Sequence, residues 1–476
     1  MSAFTLWVLI PGVLALSIYS LRDWEKTIHF TGIIFALMLA WLAWQLPIGE
    51  PIALRLWSGF PIFTIQGAQS IYGNRFIFDN SSRPVIILLY VCAAFWIGGA
   101  IPARTHRLFT PLCLMITALL TAALAADVVS SSAMLVALAV MVSVPLLSAP
   151  GRPAARGVTR YLIFQLAGVC LILLADALFS IATTPGGEGP SDLLPSILSL
   201  ALGFAMILAV TPFHTWLPML AEEVNPYPAS FIFFLLPNTV ALLALEMLSR
   251  YSLVGLPAST FSAIQYAGVL MTLAGGFGAA FDSHLGRVLG FTAVTQIGMT
   301  LLAISLNDQP GRTTEQIGIF FSLLAPQALG LAIWSLALSI FRFNRPELSF
   351  SAVRGTAHRL PIAAFTMVVA NFSLAGLPLL ASFPVNIALW STLSQHSLTI
   401  AWLSLVGCCG VLIAGLRSLS ALVTDPEGGS WQISETRVQV VLLLAGAGLL
   451  IITGLFPQLY MPTLTNYAII FAIPAP

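Results

Sequence analysis

The chain has 476 residues, of which 58% are hydrophobic and 8% charged, with a formal net charge of +1 and a mean hydropathy of +0.96. Soluble domains carry about 25% charged residues, so a soluble globular fold is excluded. A charge this near zero also excludes electrostatic binding of nucleic acid as the main activity. Five cysteines, Cys92, Cys113, Cys170, Cys408 and Cys409, lie in or beside apolar stretches. Their spacing fits neither a disulfide framework nor a zinc site, and they read as small core residues. No flavin, haem, iron–sulfur or metal motif is visible, so no cofactor is expected.

Apolar runs of roughly twenty residues match the thickness of a bilayer core. In chain order they fall near 3–21, 29–47, 85–101, 108–126, 128–149, 160–182, 194–213, 227–248, 258–281, 287–306, 316–341, 361–395, 398–423 and 438–457, about fourteen spans. The first follows Met1-Ser2-Ala3-Phe4 without a basic n-region or a small-residue cleavage site, and is expected to be a retained helix. A long connection covers 48–84, and a Gly/Pro-rich loop covers 183–193. The 361–395 stretch is too long for one straight crossing and is interrupted by Pro378 and Pro384, which predicts a broken helix. No polar stretch separates a second domain, so residues 1–476 read as one all-α polytopic membrane domain.

Lysine and arginine accumulate in cytoplasmic loops. Connections after odd-numbered spans hold Arg22 and Lys26, Arg104 and Arg107, Arg152, Arg156 and Arg160, Arg287, then Arg342, Arg345, Arg354 and Arg359. Those after even-numbered spans hold Arg55, Arg75 and Arg83 in the long connection and, elsewhere, Arg250 and Arg312. The bias places both termini outside.

The segment Thr211-Pro212-Phe213-His214-Thr215-Trp216-Leu217-Pro218, with Glu222 and Glu223 in an acidic loop and Pro226-Tyr227-Pro228-Ala229-Ser230 after it, resembles one family's signature. That family comprises the antiporter-like membrane subunits of respiratory complex I, Mrp-type cation/proton antiporters and membrane-bound hydrogenase subunits. Arg287-Val288-Leu289-Gly290-Phe291-Thr292, Gln296-Ile297-Gly298, Ser373-Leu374-Ala375-Gly376-Leu377-Pro378 and Arg160-Tyr161 are similar to further family motifs. The resemblance runs roughly over 85–425. It implies fourteen helices containing two inverted five-helix repeats, each with a broken helix near mid-membrane. Pro212 with Pro218, and Pro378 with Pro384, stand where those breaks are expected. Broken helices expose backbone groups, which is tolerable only where they line a polar cavity.

The resemblance also implies buried lysines that carry protons, and these are missing. The corresponding positions hold Ile207, Asn238, Gly286, Leu331 and Asn386. The partner carboxylate of the fifth helix is absent too, since no Asp or Glu occurs from Val128 to Pro150. The only lysine in the chain is Lys26, in a connection. An amide can hydrogen-bond and hold water but cannot carry a proton at physiological pH. The remaining candidates for a transport path are His214, Glu222, Glu223, Asn238, Glu246, Arg287, Gln296 and Asn386. Glu246 reads either as a displaced carboxylate or as an i,i+4 partner of Arg250. Asp176 reads as a polar end-group or a relay, and Arg417, inside an apolar run, as snorkelling, paired or functional. His214 could titrate near neutrality or shape the helix break, and Trp216 fits an interfacial anchor or a packing knob.

The expected function is a membrane subunit of a complex-I-like, NADH/quinone oxidoreductase-type proton-translocating assembly, with the usual proton path degraded. Redox chemistry then belongs to partner subunits, and the chain itself carries no catalytic chemistry. The alternatives are a structural paralogue without transport, an Mrp-type or hydrogenase-associated antiporter subunit, and an autonomous transporter of another solute. The resemblance places the chain in a membrane of bacterial inner-membrane type, among other membrane and redox subunits.

Overall fold

The computed structural model describes residues 2–20, 24–52, 63–148, 155–182, 193–252, 259–306, 314–424 and 434–472. Arg22, Arg55, Arg152, Arg312 and most of the 183–193 connection lie outside those residues, as does the Arg250 side chain.

A π-helical turn over Thr5–Leu9 leads into α1 (Ile10–Ser20). There follow α2 (Glu25–Gln45), α3 (Arg83–Gly98), α4 (Phe109–Ala125), α5 (Val129–Leu147), α6 (Arg156–Ala182), α7 (Leu193–Ile207), α8 (Trp216–Glu223) and α9 (Pro226–Ser252). The second part holds α10 (Ser259–Phe281), α11 (Leu285–Ser305), α12 (Thr314–Asn344), α13 (Pro361–Leu374), α14 (Phe383–His396), α15 (Leu398–Val423), α16 (Arg437–Leu455) and α17 (Met461–Ala472). Helices close every backbone hydrogen bond within the segment, as a hydrocarbon surrounding demands. Ten of them are long and apolar enough to cross a membrane by length and composition.

Each predicted span coincides with a helix or a broken pair. Three features were not legible beforehand. The chain after α16 forms a further helix, α17. The 48–84 connection is not a plain loop: Ala68–Ile71 (β1) pairs antiparallel with Asn74–Ile77 (β2). The turn between them uses positive φ at Tyr72 (49°) and Gly73 (84°), which matches the right-handed strand twist. This hairpin sits on the α4–α5 connection, where the Asp127 N–H donates to the Arg75 carbonyl (3.0 Å). Third, the expected 194–213 span ends at Ile207.

The helices differ sharply in how deeply they lie. The apolar windows of α9 and α11 are 94% buried and that of α12 is 89%, against 28% for α6 and α16. These three helices therefore form the centre of the bundle. Helix contacts in lipid gain no hydrophobic drive and rely on small residues that let backbones approach. Gly276 of α10 meets the Gly407 and Gly410 backbones of α15 in this way.

Candidate functional site

Two interrupted helices meet the central trio. The first break runs from the end of α7 to the 3-10 turn Phe213–Thr215 that opens α8. It contains Ala209 at φ 56° and a cis Thr211–Pro212 bond. The second separates α13 from α14 and contains Gly376 at φ 80° and Leu379 at φ 72°. A non-glycine residue at positive φ costs about 1–3 kcal/mol and persists only where its surroundings over-determine it. Each break holds one. Pro212 and Pro378 lie within the breaks, whereas Pro218 and Pro384 sit in the first turns of α8 and α14, where a missing N–H is harmless.

A helix that stops inside a bundle leaves carbonyls without intrahelical donors. Both breaks meet that need with a buried glutamine from a neighbouring helix. Gln165 Nε2 of α6 donates to the carbonyl of Ile207, the last residue of α7 (3.1 Å). Gln296 Nε2 of α11 donates to the carbonyl of Leu374, the last residue of α13 (2.9 Å). The Gln165 role was missed from sequence, although an isolated amide within the apolar run of α6 was the signal.

The second break continues into a row of neutral polar groups across the central helices. Thr300 Oγ1 lies 3.5 Å from Asn238 Oδ1 of α9 and donates to the Gln296 carbonyl (3.1 Å). Gln327 Nε2 of α12 reaches the Gln296 carbonyl and the Thr300 hydroxyl, both at 3.3 Å. Asn238 Nδ2 donates back to the Phe234 carbonyl (2.8 Å). Asn371, Ser373, Ser382 and Asn386 are buried around the same break. Both side-chain atoms of Asn371 and the hydroxyls of Ser373 and Ser382 have no protein partner. Such groups in a buried position need ordered water or strain to account for them.

No buried Asp, Glu, Lys or Arg occurs among the described residues, and His29 is the one buried histidine. It contacts Thr110 Oγ1 at 2.5 Å, away from both breaks. Ile207 and Leu331 are buried apolar residues. Gly286 leaves no room for a side chain: a Cβ there lies 2.5 Å from the Ala221 carbonyl, and one at Gly290 lies 2.5 Å from Pro218 Cα. The two glycines form the strip of α11 on which α8 rests.

The charges lie instead at helix ends. Arg287 Nε pairs with Glu222 (3.2 Å) and Asp282 (3.7 Å). Glu223 accepts from the Gly157 N–H at the start of α6 (2.5 Å). Arg342 donates to the carbonyls of Glu222, Glu223 and Val224 (3.0, 2.7 and 2.5 Å), closing the end of α8. Arg417 does the same for α10, donating to the Ala280 and Asp282 carbonyls, so its partners are structural. Glu435 receives the Ile362 and Ala363 N–H groups at the start of α13 (2.9 and 3.0 Å). Cations at helix C-termini and anions at N-termini follow the helix dipole. His284 caps α11 through Nδ1, and burial holds its pKa below the ordinary value although Glu222 and Asp282 oppose the shift.

The predicted residues thus divide. Asn238 and Gln296 join one row, Asn386 lies beside the second break, and Glu222 and Arg287 form an ion pair at the bundle end. His214 stands half-buried at the first break, its ring 6.4 Å from that of Phe291, with Nδ1 unpartnered. Glu246 lines a separate cavity of about 220 Å³ with Asp79 and Asp127, near the hairpin. Asp176 is half-buried on α6. Trp216 is a packing knob, fully buried between Tyr161 and Phe233.

Residues 161–414 match the profile of the family described as NADH:quinone oxidoreductase/Mrp antiporter, TM. An NADH-quinone oxidoreductase subunit N from Trichlorobacter lovleyi is 24% identical over 287 residues, covering 59% of this chain and 57% of that protein. The chain is thus matched to somewhat over half the length of that relative. By fold, it superposes on a chain of the Mrp complex from a Dietzia species with a TM-score of 0.79 at 16% identity, covering 99% of this chain and 97% of the other. It superposes on a chain of an archaeal membrane-bound sulfane sulfur reductase with a TM-score of 0.81 at 15% identity, covering 99% and 98%. With more than half its length matched by the profile and ten apolar spans, the chain is an integral membrane protein belonging to the NADH:quinone oxidoreductase/Mrp antiporter transmembrane family.

Proposed function

We propose that the chain is an antiporter-like membrane subunit of a complex-I-like assembly whose usual proton route through the bundle centre is degraded. The observation that carries this reading is the central row itself: Asn238, Thr300, Gln327 and Gln296, with Asn386 beside the second break, are amides and a hydroxyl, with no titratable carboxylate, lysine or arginine buried beside them among the described residues. A proton crossing hydrocarbon needs such groups, because a bare charge at the centre costs at least ~2.5–3.5 kcal/mol. The two Gln-to-carbonyl links at matching breaks support a pair of inverted five-helix repeats. Redox subunits and other membrane subunits are the partners, in a bacterial inner membrane with both termini outside, as the arginine distribution favours.

The test is proton translocation by the purified assembly in sealed vesicles. Asn238→Ala combined with Asn386→Ala is expected to leave protons moved per electron unchanged. A fall in that ratio, at unchanged electron transfer, overturns the degraded route. Restoring lysine at Ile207 and Asn238 together asks whether a wet path survives: unchanged flux supports a scaffold role. The scaffold reading is favoured by one further observation, that Arg342, Arg417, Glu223 and Glu435 all spend their charge on helix ends.

A further inference from the structure

The two half-helices that follow the breaks are held very unequally. Of the eight residues of α8, Trp216, Leu217, Pro218, Leu220 and Ala221 are buried. Its backbone lies between glycines on two sides: a Cβ at Gly157 of α6 would be 2.8 Å from Leu220 Cα, and one at Gly290 of α11 2.5 Å from Pro218 Cα. Its far end is tied to α6 through Glu223, to α11 through the Glu222–Arg287 pair and to α12 through Arg342. α14 has no such fastening. Of its 14 residues, Val385, Asn386, Leu389 and Leu393 are buried. Among the described residues its side-chain hydrogen bonds, from Ser391, Thr392 and Ser394, all end on carbonyls of α14 itself.

The link from α13 to α14 places two residues at positive φ, Gly376 at 80° and Leu379 at 72°. The Leu379 side chain is largely exposed and does not enforce that backbone, which rests instead on Gly454 of α16. Polar groups without protein partners stand on both sides of the link: Asn371 and Ser373 on α13, Ser382 and the Trp390 indole N–H on the α14 side. Ser382 stands at the N-cap of α14 and makes no cap bond. Buried groups of this kind cost free energy until a partner is found. A strained link, a thinly buried half-helix and unpaired groups on either side mark a segment with more than one position.

We infer that α14 is a movable half-helix, turning about Gly376–Leu379 while α8 stays fixed. Hinges of this kind absorb a change of φ and ψ over a few residues. Asn386 lies in the first turn of α14, its Nδ2 2.6 Å from where a Cβ at Gly376 would be. The movement therefore carries this amide toward or away from the end of α13, where Gln296 holds the Leu374 carbonyl. The inference is independent of the proton route.

Pulsed electron double resonance on the full chain in lipid nanodiscs reads the position of α14. Spin labels go on Gln395→Cys in α14 and Ser262→Cys in α10, both exposed sites, after the exposed Cys170 and Cys409 are replaced by Ser. Two distances are expected, with a ratio that responds to the hinge. Gly376→Ala strains the present position, through its φ and through the close Asn386 amide, and is expected to raise the second population about tenfold. Leu379→Gly relieves the present position and is expected to lower that population by a similar factor. Labels on Met219→Cys of α8 and Ser262→Cys are expected to give one distance throughout. One distance for the α14 pair in the parent and in every variant that folds, a ratio that moves the same way in both hinge variants, or an equal spread for the α8 pair would each overturn the inference.

Discussion

The centre of the bundle and its charged rim handle polarity in opposite ways. At the centre, Asn238, Thr300, Gln327 and Gln296 are neutral, buried and bonded to one another or to broken backbone. At the rim, Arg287 and Glu222 pair with each other, while Arg342, Arg417 and Glu435 hydrogen-bond backbone groups at helix ends. The difference follows from solvation. A charge is cheap where water or a helix dipole can stabilise it and expensive at mid-bilayer. The chain has kept its ionisable groups where they cost little, and has kept broken helices open with amides that never titrate.

Several substitutions would break this contrast, the largest at the centre. Asn238→Lys places an ammonium in a helix window that is 94% buried. It is expected to cost about 3 kcal/mol, seen as a lower Tm of the detergent-solubilised assembly. An unchanged Tm would mean that the centre is already wet. Gln296→Leu and Gln165→Leu each strip the donor from a half-helix carbonyl, and are expected to cost about 1–3 kcal/mol by the same measurement. If Gln165→Leu proves neutral, the two breaks are not held alike.

Effects at the rim should be smaller. Arg287→Gln removes an ion pair whose members are 43% and 40% exposed, so less than about 1 kcal/mol is expected after solvent screening. A double-mutant cycle with Glu222→Gln measures the coupling, and a large coupling would show the rim to be drier than it looks.

The smallest expected effect is a pH dependence. Burial lowers the His284 pKa in the folded state, so between the folded and unfolded values the unfolded chain binds the extra proton. Its contribution to stability is therefore full above the unfolded pKa of about 6.5 and falls as pH drops through that value toward the folded one. His284→Asn keeps an N-cap acceptor and should flatten the fall of Tm as the pH drops below about 6.5. A slope that survives the substitution assigns the effect to another group.

Much of the site was legible because its signals are local. Pro212 and Pro378 marked the breaks, and the family motif around His214–Pro218 located the first of them. The absence of lysine at Ile207, Asn238, Leu331 and Asn386 was readable position by position. What could not be read was pairing over long separations. Gln165 meets Ile207 across 42 residues, Gln296 meets Leu374 across 78, and Arg417 meets Ala280 across 137. No periodicity encodes such partners. Arg417 looked like a lone charge in an apolar run, and its role became clear only with the end of α10 beside it. The hairpin at Ala68–Ile77 was missed because its turn uses Tyr72 at positive φ, a conformation that sequence does not advertise for tyrosine.

By itself the sequence determined that this protein lives in a membrane, where most of its helices run and that the 361–395 stretch must break, because hydrophobicity and proline act through the backbone over a few residues. Only the tertiary structure decided what holds those breaks open and where each charge goes. Buried carbonyls are satisfied by whichever donor the packing delivers, and packing joins residues that the chain keeps far apart.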